Sequence, residues 1–310
     1  MNKEFLNKYK SVIGLVGFSI IISILNPRFL TLSNILNVLR QTSINSIIAA
    51  GMTFVILTGG IDLSVGSVLA FSGAICASLI ASGVNVIIAI LIALIVGMAI
   101  GALSGTIISK GKIQPFIATL AFMTIVRGAA LVFTDGRPIS IGYDKAAEIF
   151  SNIGAGYFLG IPVPIYIMII VFAISYYILK HTRLGRYVYA IGGNEESSKL
   201  SGINTDRVKV YVYAISGLFA AIAGIIMTSR LSSAQPTAGT GYELDAIAAV
   251  VLGGTSLTGG VGSVLGTIIG ALIIGVLNNA LNLMNVSSYY QMMVKGAVIL
   301  MAVLLDRKQK

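Results

Sequence analysis

Polar side chains within apolar stretches are the residues of this chain whose types could do chemistry. Asn45 lies in one such stretch, and Asn278 and Asn282 lie in another, one helical turn apart. Amides donate and accept hydrogen bonds without carrying charge, so they suit the passage of a polar, uncharged molecule better than that of an ion. They are also suited to joining neighbouring helices, and the sequence leaves both interpretations open.

Two polar, glycine-containing segments interrupt the apolar sequence. Their residues of interest are Thr58, Gly59, Gly60 and Asp62 in the first segment, and Thr255, Ser256 and Thr258 in the second. Irregular backbone at membrane depth is tolerated only where protein buries it or where it lines a wet cavity. We therefore predict that both segments contribute to the gate of a translocation pathway. Capping of the next helix by Asp62 or Ser64 is favoured over contact with a substrate.

The longest polar interruption runs from Lys180 to Lys209 and holds six of the twenty-one Lys and Arg residues. Asn194 is a good helix N-cap, Glu195 and Glu196 follow in the first turn, and Gly202 provides a stop. This pattern predicts a helix of about two turns. Such a helix is equally suited to contact another protein or to serve as a solvated connector.

Enzyme chemistry finds little support in the remaining residues. A lone Cys76 and a lone His181 cannot form a metal site, and the sequence has no phosphate-binding loop. It also shows no paired carboxylates and no nucleophile elbow. We expect no cofactor in this chain, so any energy for transport would come from a partner.

The composition indicates that membrane helices are the elements that position these residues. The chain is 56% hydrophobic and 10% charged, with a mean hydropathy of +0.94. Its net charge of +10 does not indicate a nucleic-acid partner, because the basic residues lie between apolar runs and at both ends. We predict an all-α polytopic protein that forms one domain over residues 1–310 in the lipid bilayer.

Apolar stretches near the length that crosses a bilayer predict about ten spans. They cover residues 11–25, 42–57, 63–81, 86–108, 113–133, 162–179, 210–228, 244–252, 262–281 and 288–305. The eighth is the least secure because it is short, and residues 29–41 read as a separate amphipathic interfacial segment. The first is expected to be retained, since no small-residue cleavage site follows it.

The distribution of Lys and Arg predicts the orientation. With ten spans, both termini, the turn at 110–112 and the loop at 180–209 share one side, which carries fourteen of the twenty-one basic residues. The positive-inside rule makes this side cytoplasmic. The loop at 134–161, which contains acidic residues, would face outward.

Small residues at four-residue spacing predict close helix packing. Gly97, Gly101 and Gly105 form one such series, and Gly262, Gly266 and Gly270 form another. The pentapeptide VGSVL occurs at 65–69 and again at 261–265, which is compatible with related halves or with chance.

Several long motifs give this chain a family resemblance. They are GR at 185–186, AIGGNEESSKLSGIN at 190–204, ISG at 215–217, YELDAIAAVVLGGTSLTGGVGSVLGT at 242–267 and ILTGGIDLSVGSVLA at 56–70. In their order and spacing the chain resembles the sugar permeases of bacterial ABC importers, most of all those that carry ribose. No residue separates ribose from xylose, galactose, autoinducer-2 or a nucleoside, so these alternatives stay open.

The resemblance implies a homodimeric, type II-like subunit similar in architecture to the vitamin B12 importer, in a bacterial inner membrane. An ABC ATPase that binds ATP and Mg would dock on the cytoplasmic side, and an extracytoplasmic sugar-binding protein would deliver the solute. The residues implied in ATPase coupling are Gly185, Arg186, Gly193, Asn194, Glu195, Glu196, Lys199, Gly202 and Asn204.

Basic residues on the predicted outer side are candidates for docking the binding protein, and that predicted side is the only basis for choosing them. The candidates are Arg28, Arg137, Lys145 and Arg230. A stand-alone secondary sugar transporter remains an alternative, and it would work with an ion gradient in place of ATP.

Overall fold

Helices dominate the computed structural model, which describes residues 3–307. They are α1 (Lys3–Leu25), α2 (Leu32–Leu57), α3 (Val65–Ala81), α4 (Val86–Lys110), α5 (Pro115–Phe133), α6 (Lys145–Ala155), α7 (Val163–His181), α8 (Arg183–Gly193), α9 (Glu195–Leu200), α10 (Thr205–Leu231), α11 (Tyr242–Leu252), α12 (Val264–Leu283) and α13 (Ser288–Arg307). Two antiparallel pairs of short strands accompany them: β1 (Ile139–Ser140) with β4 (Ser233–Ala234), and β2 (Tyr157–Phe158) with β3 (Ile161–Pro162). The all-α prediction therefore holds for the great majority of these residues.

Five of the described helices are long and apolar enough to cross a membrane. They are α4, α5, α7, α10 and α12. Two shorter apolar helical segments, Ser11–Leu25 within α1 and the whole of α3, lie below that length. These helices fit a polytopic membrane protein, and the count of ten spans stays a prediction. The basic residues at 308–310, which contribute to the predicted orientation, lie outside the described range.

The long helix α10 lies at the centre of the bundle and contacts α2, α3, α4 and α6. Gly101 lets α4 approach it closely, because a Cβ atom there would collide with the carbonyl oxygen of Tyr213. Gly97 and Gly105 face α10 in the same way, so the predicted packing role of this series is confirmed. In the second series, Gly266 and Gly270 pack against α11.

The two ends of α10 define the two ends of the bundle. At its C-terminal end, Ser229 Oγ donates to the Phe150 carbonyl of α6 at 2.5 Å and accepts from the Gly154 amide at 2.7 Å. α9 lies at the N-terminal end of α10, and residues 201–204 connect the two helices. We call these the α6 end and the α9 end.

Three features differ from the sequence-based expectations. Residues 32–41 are the first part of α2 and not a separate element, since Thr31 caps the helix and no proline lies between 32 and 57. α11 has 11 residues, or about 16 Å, which is half of the roughly 30 Å that a bilayer core requires. The polar segments at 134–161 and 180–209 contain α6 and α8, two helices that were not predicted.

The repeated pentapeptide occupies unequal positions. Val65 starts α3, whereas α12 starts at Val264, the fourth residue of the second copy. Ser263 caps α12 by accepting from the Gly266 amide at 3.1 Å, while the equivalent Ser67 lies inside α3. The two copies therefore differ in their position relative to the start of the helix, and related halves stay a prediction.

Candidate functional site

A polar cavity of about 220 Å³ opens between α2, α10, α11, α12 and α13. Its lining residues are Gln41, Thr42, Asn45, Arg230, Tyr242, Asp245, Ala271, Ile274, Gly275, Asn278, Asn282, Gln291 and Lys295. Their spacings of three and four within each helix place them on one helical face. Three predicted pathway residues, Asn45, Asn278 and Asn282, are thus brought together by segments more than two hundred residues apart.

Three buried oxygen atoms in this cavity have no hydrogen-bond partner among the described residues. They are Thr42 Oγ1, Asn45 Oδ1 and Asn278 Oδ1. An unpaired buried polar atom costs about 1–3 kcal/mol. These oxygens have almost no accessible surface, so a solute in the cavity does not reach them in this conformation. The other polar groups of the lining suit the cavity to a small polyol.

Charged side chains also reach the cavity wall. Lys295 Nζ on α13 lies 2.9 Å from Asp245 Oδ2 on α11, and Arg230 extends from α10. The Asp245 side chain is 8% exposed, so water shields this ion pair little. The sequence predicted Arg230 on a docking surface and did not single out Asp245. Their place at the cavity depends on the packing of α10, α11 and α13.

The adjacent Asn279 has a different environment from Asn278. Its amide forms a reciprocal pair with Asn34 of α2, with nitrogen–oxygen distances of 3.0 and 2.9 Å. Gln291 of α13 donates to Asn282 Oδ1 at 2.9 Å. Asn279 therefore joins two helices, whereas Asn278 lines the cavity and its place on a pathway stays a prediction.

The two interrupted segments lie outside this cavity and contact each other. The Gly260 amide in the second segment donates to the Leu57 carbonyl at the end of α2 at 3.0 Å. Ser256 Oγ and Thr258 Oγ1 are 3.0 Å apart, and Thr255 Oγ1 is buried without a partner. Thr58, Gly59 and Gly60 form the tight turn that follows α2.

Asp62 fixes the first segment to α10. Its side chain accepts from the Ser64 amide at 3.0 Å, from Ser64 Oγ at 2.6 Å and from Ser216 Oγ at 2.7 Å. Tyr213 Oη donates to the neighbouring Ile61 carbonyl at 3.3 Å. Asp62 is 1% exposed, and the cavity does not include it. Its role in this arrangement is to position backbone.

The predicted short helix forms as expected. Asn194 Oδ1 accepts from the Ser197 amide at 2.8 Å, α9 runs from Glu195 to Leu200, and Gly202 follows with φ +82°. Arg186, Gly193, Glu196, Lys199 and Asn204 are exposed around it, and Gly185 is buried within α8. The start and stop residues thus carry enough local information to define α9.

Glu195 ties α9 to the first turn of α10. Its carboxylate lies 2.7 Å from Lys209 Nζ and 2.9 Å from Lys199 Nζ. Burial raises the pKa of Glu195, but the hydrogen bonds from Lys209 and Lys199 outweigh that effect, so the net pKa lies below its ordinary value. Glu196 faces solvent and has no ion pair within residues 3–307.

A groove of about 720 Å³ lies beside α9. Residues 108–110 and 112–115, between α4 and α5, form one wall, and Glu195, Glu196, Lys199, Asp206 and Lys209 line the other. Lys110 and Lys112 therefore contribute to the same surface as α9. A surface with both signs of charge is suited to a protein partner.

The predicted docking residues fall into two environments. Arg28, Arg137 and Lys145 are exposed, and Arg137 and Lys145 flank the strand β1 at the α6 end. Arg28, between α1 and α2, shares a surface pocket with Tyr157 of β2. Arg230 is less exposed and lines the cavity.

Comparison with known proteins assigns the family. A profile described as "branched-chain amino acid transport system / permease component" matches residues 34–303. The chain belongs to this permease family. No solved structure matches it.

Curated relatives are similar over nearly the whole chain. The ribose import permease protein RbsC of Haemophilus influenzae is 61% identical over 98% of this chain and 94% of the relative. The proteins of the same name from Escherichia coli K12 and Bacillus subtilis are 57% and 60% identical, over 99% and 98% of this chain and 96% and 94% of their own lengths. The resemblance to sugar permeases is thereby confirmed.

Family membership also determines class and location. The relatives are permease components, so the prediction that this chain is a transport subunit and not an enzyme is confirmed. With its apolar helices, the chain is a multi-pass protein of the bacterial inner membrane.

Proposed function

We propose that this chain is the transmembrane permease subunit of an ATP-driven importer that carries ribose into the cell. A separate ABC ATPase, which binds ATP and Mg, would supply the energy. An extracytoplasmic binding protein would deliver the sugar, and two copies of the permease would form the pore. Ten spans, two cytoplasmic termini and an architecture like that of the vitamin B12 importer belong to the same proposal.

The observation that carries the proposal is the polar cavity of about 220 Å³. Its hydroxyl, amide and charged side chains can bond the hydroxyl groups of a sugar, in a space suited to one small solute. The cavity need not bind tightly, because the external binding protein can provide selectivity.

Ribose is favoured over other sugars by the pattern of identities. The three relatives above, named for ribose, are 57–61% identical to this chain. A D-allose permease and an L-arabinose permease, both from Escherichia coli K12, are 41% and 40% identical.

Alternating access would begin at the α9 end. Closure of the ATPase would move α9, and the flanking helices α7 and α10 would shift and change which side of the cavity is open. Such a cycle requires that the ATPase and the binding protein each have different affinities for the two states. The Glu195–Lys209 contact supports this order, because it joins α9 directly to α10.

One observation favours the alternative of an ion-coupled transporter. The Asp245–Lys295 pair places two titratable groups at the cavity, as ion-coupled pathways require. A test must therefore separate ATP from ion gradients as the energy source.

Uptake of labelled ribose in cells tests the substrate. We would express the chain with the ATPase and binding protein from the same genome in a strain without its own ribose permease. The proposal predicts uptake that excess unlabelled ribose suppresses and that equal excesses of xylose, allose or arabinose leave largely intact. Stronger suppression by one of those sugars would reassign the substrate.

A further inference from the structure

Three Gly–Gly pairs from distant parts of the chain meet near the α9 end. They are Gly59–Gly60 after α2, Gly192–Gly193 at the end of α8, and Gly259–Gly260 before α12. We call this meeting point the glycine junction. It brings together both interrupted segments and the helix that immediately precedes α9.

The junction is packed backbone against backbone. The Gly260 amide bonds the Leu57 carbonyl at 3.0 Å, which joins the two interrupted segments. A Cβ atom on Gly192 would collide with that same carbonyl oxygen and with the Gly260 amide nitrogen. Only glycine at 192 therefore permits α8 to contact both segments at once.

A side-chain contact reinforces the junction. Tyr189 Oη, one turn earlier on α8, donates to the Gly262 carbonyl at 3.0 Å. Gly262 immediately precedes Ser263, the N-cap of α12. Burial raises the pKa of Tyr189, so its hydroxyl stays protonated and able to donate. α8 thus contacts the start of α12 as well as the end of α2.

On its other side, α8 leads directly into α9. Asn194 alone separates the two helices, and it caps α9. Val188 and Ile191 bury one face of α8, so a movement of the helix would press on the residues packed against that face. α8 therefore lies between the surface proposed for the ATPase and both interrupted segments.

We propose that the glycine junction passes the movement of α9 to both interrupted segments, with Gly192 as the positioning residue that holds α8 against them. The inference rests on the proposed function, since it requires an ATPase acting at α9. α2 and α12 both begin or end at the junction and both line the cavity, so one displacement of α8 would act on two walls of the pathway.

The test replaces Gly192 by alanine and compares it with an alanine at a helical glycine away from the junction. Gly128→Ala on α5 is the control, because a Cβ atom at 128 meets nothing within 4 Å. Each variant is reconstituted in vesicles with the ATPase and the binding protein, and ribose transported per ATP hydrolysed is measured beside thermal stability. We expect Gly192→Ala to lower this ratio about tenfold while ATP hydrolysis continues, and Gly128→Ala to match the wild type.

Tyr189→Phe provides a second variant that keeps the ring and removes only the contact with Gly262. It should lower the ratio in the same direction, and it decides the case if Gly192→Ala does not fold. An unchanged ratio in both variants, or a parallel loss of transport and hydrolysis, would overturn the junction's role. Absence of ATP-driven ribose uptake in the wild type would instead overturn the proposed function.

Discussion

At the scale of single residues, two adjacent asparagines on α12 have different surroundings. Asn278 Oδ1 is buried at the cavity without a partner, whereas Asn279 forms the reciprocal amide pair with Asn34. The two residues have the same type, so the sequence does not distinguish them. They differ in the face of α12 on which they lie: Asn278 lines the cavity and Asn279 faces Asn34.

Alanine should therefore lower ribose uptake at position 278 and the stability of the fold at position 279. Asn278→Ala removes one hydrogen bond to the sugar, worth about 1 kcal/mol, and should lower ribose uptake about fivefold with stability unchanged. Asn279→Ala leaves Asn34 Oδ1 without its donor and should lower the free energy of unfolding by about 1–3 kcal/mol. Uptake and thermal unfolding of both purified variants check this. Equal losses of stability would refute the distinction.

Glu195 gives α9 a predictable dependence on pH. A carboxyl group whose folded pKa lies below its ordinary 4.5 stabilises the fold above that pH, and this stability is lost as the pH falls through the lower folded value. α9 should therefore stay fixed to α10 above pH 4.5 and loosen below it.

Fluorescence can follow this change, because the chain has no tryptophan. Leu200→Trp places a single reporter on the exposed side of α9. Its anisotropy should fall as the pH drops below 4.5, and Glu195→Gln in the same background should abolish that transition. Persistence of the transition in the Gln variant would show that another group causes it.

At the scale of elements, the contact between α4 and α10 depends on glycine. Gly101→Ala would push against the Tyr213 carbonyl and should cost about 1–3 kcal/mol through separation of the helices. Gly128→Ala on α5 is the control, since a Cβ atom there meets open space. Thermal unfolding should show a loss for the first variant only. A similar midpoint for both would mean that the helices adjust without cost.

Local signals define some elements and not others. α9 was predictable because its cap and its stop lie within nine residues of sequence. α8 was not, since its buried face consists of three residues, Gly185, Val188 and Ile191, in a polar stretch. α11 was predicted as the least secure span. Its short length is visible in the sequence, but its depth in the membrane depends on the helices that pack around it.

At the scale of the whole molecule, the cavity lay beyond sequence reasoning. Asn45 and Asn278 were candidates by type, yet Asp245 and Lys295 come together only through the packing of α11 against α13. The glycine pairs were visible as breaks, but their convergence required three-dimensional contacts. The family motifs indicated the function because they are spread over most of the chain and occur in the order and spacing of one permease family.

The exposed basic residues at the α6 end lead to a prediction for the assembled importer. Arg28→Glu, Arg137→Glu and Lys145→Glu should each weaken docking of the binding protein and impair ribose uptake, with ATPase assembly unchanged. Uptake at several binding-protein concentrations measures the effect, and excess binding protein should restore transport. Arg230→Glu, at the cavity, should not be restored in this way. Unchanged uptake in all three surface variants would remove this docking site.

The most direct test of the account is ribose transport by purified components in vesicles. ATP is supplied on the ATPase side and ribose with its binding protein on the other, and each component is omitted in turn. We predict transport only when permease, ATPase, binding protein and ATP are all present. Transport by the permease alone under a proton or sodium gradient would contradict the account and assign the chain to secondary transporters.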